Sequence, residues 1–253
     1  MLALAAACGG DGGDTSQPGT AGSGNDANAD DFSFFVTSMS AMIELSDNAE
    51  GFGGDLSYDG NPGVLGADAI CAAIAERSLA GAGSRSWRAF LSTSTEHAID
   101  RIGDGPWFDR QGRLVARDKA ALLHERPEGA DPAIVDDLPN EDGIPNHLAD
   151  DPTCETTHTC PDNHDVLTGS NMQGELDRQS STCDDWTSLT ARGQPRIGHS
   201  WPAQSGRSWL MSHPAGGCGR SVRVAVAGGP QPGDLTVGAG GGYGGFYCFA
   251  SLR

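Results

Sequence analysis

Seven cysteines stand at 8, 71, 154, 160, 183, 218 and 248, and their placement constrains this chain more than any other feature. The total is odd, and it becomes even once Cys8 is set aside. Six cysteines then remain to pair across the body of the protein. A chain of 253 residues is long enough to bury a real core around such pairs, as one domain of about 200 residues.

Cys8 is separable for a reason of its own. The run "MLALAAAC" places small residues ahead of a cysteine as a bacterial lipoprotein signal does, and that cysteine would receive lipid. Yet no Lys or Arg precedes it, whereas a signal normally carries a basic region and a longer apolar segment. Two readings stand: residues 1–8 are a truncated lipoprotein signal with lipidated Cys8, or they are a frayed N-terminus with a free thiol. Residues 9–31, "GGDGGDTSQPGTAGSGNDANADD", hold no basic and no large apolar side chain, so they cannot bury enough surface to offset ordering entropy. They read as a flexible tether that lets a folded domain, residues 32–253, stand off a membrane.

Charge removes one class of partner. With 34 acidic against 16 basic residues the formal net charge is −18, which repels phosphate backbones and anionic lipid surfaces. Nucleic acid is excluded as a partner, and a membrane is reached only through lipid. No apolar run approaches the roughly 20 residues a spanning helix requires.

From Phe32 the pattern becomes ordered. Phe32, Phe34 and Val36 alternate as in a half-buried strand. "LGADAICAAIAERSLA" sets Ala67, Ile70, Cys71 and Ile74 on one helical face, with Asp68 in the first turn. Trp87, Ala89 and Leu91 alternate again, and Thr93 stands three residues before Glu96, a capping-box spacing that predicts a second helix. The stretch from about 126 to 165 is dense in Pro, Asp and Asn and reads as long loop. Beyond it, "DVLTGS", "SWLMS", "SVRVAV" and "GFYCFA" read as short strands, and "GAGGGYGG" as a flexible turn before the last one.

Several of these stretches, in order, resemble the endostatin-like branch of the C-type-lectin-like fold, including bacterial surface lipoproteins that carry it. The resemblance rests on "GADAICAAIAERSLAGAGSRSWRAFLSTST", "DRIGDGPWFDRQGRLVARDKAALL", "NHDVLTGSNMQGELDRQSSTCDDWTS", "SWLMSHPAGGCG" and "GGFYCFA". It implies an α+β fold: two helices packed on short, mostly antiparallel strands, with long loops and disulfide staples. It also implies Cys71 paired with Cys248 and Cys183 with Cys218, leaving Cys154 with Cys160. The motifs by which sugar-binding C-type lectins hold calcium, Glu-Pro-Asn, Gln-Pro-Asp and Trp-Asn-Asp, do not occur here. The acidic domain also lacks the clustered arginines behind endostatin's heparin affinity.

Chemistry was weighed on the residues themselves. Cys154, His158, Cys160 and His164 form C-x3-H-x-C-x3-H, residue types that suit zinc in a spacing that fits no common zinc module. A small disulfide loop is preferred there in an oxidising compartment. Asp136, Asp137, Asn140, Glu141 and Asp142 offer oxygens that calcium accepts, without an EF-hand pattern, so a solvated acidic loop is the plainer reading. No G-x-S-x-G elbow is present, "GHSWP" does not build one, and His164 beside Asp165 reads as polar loop packing. In "CDDWT" the expected role of Trp186 is a core aromatic beside a disulfide.

The expectation is a non-enzymatic extracellular binding module on an exported, cell-surface lipoprotein of the bacterial outer membrane or periplasm. It needs no cofactor, with calcium possible, and recognises a glycan or a surface protein through loops between about 126 and 218. Asn171, Asp184, Asp185 and His199 are the ligand-binding candidates. The competing expectation is a secreted metal-dependent hydrolase using the acidic, His-bearing loop.

Overall fold

The computed structural model describes residues 31–149, 162–202, 206–222 and 234–251. Cys8, Cys154, His158 and Cys160, and with them the lipid anchor, the tether up to Asp30 and the third cysteine pair, lie outside the described residues.

The fold is α+β, organised around its last strand. Strand β7, Gly242–Ala250, is buried along all nine residues and receives neighbours on both edges. Strand β1, Phe34–Val36, pairs with it antiparallel, setting Phe35 opposite Cys248. Strand β2, Trp87–Ala89, pairs antiparallel on the other edge, setting Ala89 opposite Cys248. Further along that edge, strand β5, Asp165–Leu167, runs parallel to β7, and strand β6, Ile197–His199, closes the sheet antiparallel to β5. A separate two-stranded ribbon is formed by β3, Trp107–Phe108, and β4, Leu114–Ala116.

Helix α2, Gly63–Ser78, buries the predicted face, Ala67, Ile70, Cys71 and Ile74, against this sheet. Helix α1, Met39–Ser46, is absent from the sequence expectation; it is eight residues long and is fixed by a cap built from far away in sequence. Ser38 Oγ accepts from Ala41 N–H, while the Glu141 carboxylate accepts from Ser38 N–H (2.9 Å) and Oγ (2.6 Å). The predicted second helix shrinks to one turn, α3, Ala98–Arg101. Thr93 Oγ1 does accept from Glu96 N–H (3.0 Å), but the bond closes a local turn ahead of the helix. "SWLMS" forms no strand and lies as an irregular segment along β6; of "SVRVAV", only Ser221 and Val222 are described, and neither is in a strand.

The two expected disulfides among the described cysteines are present: Cys71–Cys248, across 177 positions, and Cys183–Cys218, across 35. Such bonds belong to an oxidising compartment, extracellular or periplasmic. Among the described residues no helix is long and apolar enough to cross a membrane.

The core is aromatic. Trp87, Trp107, Trp186, Trp209, Tyr243 and Tyr247 are all fully buried, and Trp209 meets Tyr247 edge-on at 5.0 Å between centroids. The buried charges of Asp68 and Arg101 are paired. Asp68 is turned into the protein from α2, where it accepts two bonds of 2.8 Å from Arg101 Nη2 and one of 2.8 Å from Ala89 N–H. Burial raises the pKa of Asp68, opposed by the Arg101 charge. Asp68→Ala would leave the Arg101 guanidinium buried with only exposed Glu96 as a counter-ion, and the expected loss of unfolding free energy is about 3–5 kcal/mol. Urea denaturation of the variant checks this; an unchanged midpoint would show the pair to be idle.

Candidate metal centre

Strand register brings together residues that sequence spacing keeps apart. Asp165 opens β5 and lies directly opposite His199 on antiparallel β6, so the two side chains share a face of the sheet. His164 immediately precedes β5. His213 arrives on the segment after Trp209, which lies along β6 through Ser212 N–H to Ile197 O (2.7 Å) and Ile197 N–H to His213 O (3.1 Å).

The result is a convergent cluster of four donor atoms, all within 4.8 Å of one another. Asp165 Oδ1 lies 3.0 Å from His164 Nε2, 3.4 Å from His199 Nε2 and 3.5 Å from His213 Nε2. The side chains of His164, Asp165 and His199 are 7%, 1% and 0% exposed, whereas that of His213 is 29% exposed, so the cluster meets solvent at His213.

The far side of each ring is fixed. His199 Nδ1 faces Gly206 O (3.1 Å), His213 Nδ1 faces Pro214 O (3.1 Å), and His164 Nδ1 faces Asp162 Oδ1 (2.5 Å). Carbonyl and carboxylate oxygens only accept, so each Nδ1 carries a proton and each Nε2 points inward at Asp165. Among the described residues neither Asp165 oxygen nor His199 Nε2 finds an aligned hydrogen bond, a costly arrangement for buried groups unless a cation or proton joins them.

The glycine run read as a flexible turn is instead part of this centre. A Cβ on Gly240 would lie 2.8 Å from Asp165 Oδ2, and one on Gly241 2.5 Å from His164 Cε1. Both have strongly positive φ, +124° and +122°. Only glycine combines that backbone with so close an approach.

Buried Arg126 braces the cluster from behind. It donates to Val135 O, His199 O and Ser200 O, each at 2.7 Å, and to Arg207 O at 3.3 Å. Half-buried Trp201 flanks the centre, its ring 5.3 Å from that of His164 and stacked on His147 at 4.1 Å, with Nε1 donating to Asn163 Oδ1 (2.8 Å).

Without a metal the histidines diverge. For His164, burial works against charging, but the Asp162 and Asp165 carboxylates outweigh it and raise the pKa to about 9. Burial, with the His164 charge behind it, lowers that of His199 to about 4. The sign follows for the metal-free chain. The His164 contribution is complete below about 6.5 and is lost as pH rises through about 9. As pH falls from about 6.5 toward 4, the unfolded chain takes up a proton that folded His199 refuses, and stability falls again. Stability from this pair is expected to peak near pH 6.5, which denaturation of chelator-treated protein across pH checks.

Of the sequence candidates, His199 from the ligand-binding set and His164 from the zinc pattern enter the cluster. Asn171 turns its Oδ1 onto its own loop, accepting from Gln173 N–H and Glu175 N–H. Asp184 and Asp185 lie in a left-handed turn, Cys183–Trp186, with φ from 50° to 66° at four successive residues. Asp185 pins that turn by accepting from Ser94 N–H (2.7 Å) and Oγ (2.5 Å); Asp184 points to solvent. Trp186 is the expected core aromatic, fully buried, with Nε1 donating to Ser92 O.

The calcium candidates disperse. Asp136 pairs with Arg207, Asp137 accepts from His147 N–H, Asn140 accepts from Asp142 N–H and Ile144 N–H, Glu141 caps α1, and Asp142 is exposed. Sequence reasoning missed His213; it weighed His164 for zinc only together with Cys154, His158 and Cys160, and read His164 beside Asp165 as loop packing, whereas both are in the buried cluster, because β5 begins at Asp165 and pairs with β6. The three histidines share no local motif. No protein-family model and no curated protein matches this chain.

Proposed function

We propose that this chain is a non-enzymatic binding module of the C-type-lectin-like, endostatin-like type. It works outside the cytoplasm, tethered to a bacterial cell surface through lipid on Cys8, and it takes a glycan or a surface protein on its long loops. The α+β sheet and the two disulfides supply a rigid frame, and loops on such a frame can vary in chemistry without loss of the fold.

The observation that carries the non-enzymatic reading is the inward aim of the histidines. Each Nδ1 is bonded to an acceptor and each Nε2 faces buried Asp165, whereas general acid–base catalysis needs a ring nitrogen within reach of a substrate. One feature favours the second reading, a secreted metal-dependent hydrolase: the partial exposure of His213 gives the cluster an edge that a substrate reaches.

The test applies the full chain to glycan and matrix-protein arrays and, in parallel, to ester, peptide and glycoside substrates. Saturable binding without turnover is the expected result. Turnover that disappears in His213→Ala would replace this reading with the hydrolase.

A further inference from the structure

We propose that His164, Asp165, His199 and His213 form a mononuclear, four-coordinate zinc(II) site. It stands apart from the binding-module reading, since a chain that takes no glycan or protein would still carry it.

Distance is the first argument. Zinc holds imidazole nitrogen and carboxylate oxygen at about 2.0–2.2 Å, so the edges of its tetrahedron are about 3.3–3.6 Å. The three separations from Asp165 Oδ1, 3.0, 3.4 and 3.5 Å, fall at or just inside those edges. The four donors lie within 4.8 Å of one another, so the wider imidazole pairs close by about 1 Å around a bound ion.

Donor chemistry is the second. Three imidazoles and one carboxylate match borderline metals, while calcium and magnesium select shells of oxygen. Zinc takes four such donors tetrahedrally, whereas copper(II) prefers tetragonal sites. The ring partners complete the case: each ligand histidine has its Nδ1 on a carbonyl or carboxylate, the outer arrangement that orients a metal-binding imidazole and fixes its tautomer. Asp162 and Asp165 together bring two negative charges to balance a dication.

Orphaned atoms are the third. Both oxygens of Asp165 and Nε2 of His199 are buried without an aligned hydrogen bond among the described residues, and one ion among the four side chains would engage Oδ1 and that Nε2. The Gly240–Gly241 backbone walls one side of the cluster at a distance where no side chain fits. With four protein donors the coordination is complete, the condition of a metal that holds structure rather than one that activates water. It would tie β5, β6 and the segment from Gly206 to His213 into one unit.

The experiment uses the full chain, expressed without a histidine tag, stripped with chelator and titrated with zinc against a chromophoric competitor. Cobalt(II) then reports coordination number through its visible absorption. Expected are one zinc per chain, intense four-coordinate cobalt bands, and affinity about 100-fold or more weaker in His213→Ala, since loss of an outer-shell partner alone costs 10–100-fold. His213 is the partly exposed ligand, so this variant is the one expected to fold; should it not, the cobalt spectrum of the unmodified chain still decides. Weak six-coordinate cobalt bands would overturn the proposal. So would zinc held equally well by folded His213→Ala, which would assign the metal to other donors.

Discussion

Replacing Cys71 and Cys248 together with alanine is expected to cost the folded chain about 5 kcal/mol, from the loop-entropy estimate for a bond spanning 177 positions. That is a large share of the roughly 5–15 kcal/mol by which domains are stable. The position of the bond adds to its length. Cys71 lies on the buried face of α2, and Cys248 is opposite Phe35 of β1 and Ala89 of β2, so the bond fastens the long helix to the middle of three paired strands. The shorter Cys183–Cys218 link, across 35 positions, is expected to contribute about 4 kcal/mol on the same basis. Denaturant midpoints of the two double variants, measured without reductant, check both size and order. A Cys71/Cys248 variant with an unaltered midpoint would contradict this account of the core.

Gly198→Ala is expected to be as damaging and to act on the cluster directly. Gly198 lies in β6 between Ile197 and His199, and a Cβ there would stand 1.8 Å from Trp209 O and 2.9 Å from Leu210 N. Both obstacles are backbone, so no rotamer change relieves them. The strand and the segment bearing His213 must separate, carrying His199 and His213 apart. Overpacking typically costs 1–3 kcal/mol, and this contact belongs at the upper end, about 3 kcal/mol or more, with loss of zinc binding. Calorimetry and metal titration of the variant check the two effects; wild-type melting with wild-type affinity would show that the segment yields freely.

Local signals in the sequence were read well where local physics decides. The buried face of α2, the strand at Trp87, the strand around Cys248 and the core role of Trp186 follow from periodicity and aromatic burial. The resemblance supplied the two disulfides. What could not be read is what long-range pairing makes. Helix α1 depends on a cap from Glu141, about a hundred residues away, and the one-turn α3 is short of the helix its capping spacing promised. The candidate site was legible at His199, as a ligand-binding residue, and at His164, as one residue of a zinc pattern whose other members lie outside the described residues. Asp165 meets His199 through strand register, His213 arrives through an irregular segment beside β6, and the glycines that make room for them look in sequence like any flexible turn.

Crystals of the full chain grown with zinc and measured on both sides of the zinc absorption edge give the most direct test. The account predicts a single anomalous peak enclosed by His164 Nε2, Asp165 Oδ1, His199 Nε2 and His213 Nε2, at about 2.0–2.2 Å from each. An empty cluster, or a peak held by other donors, would contradict it.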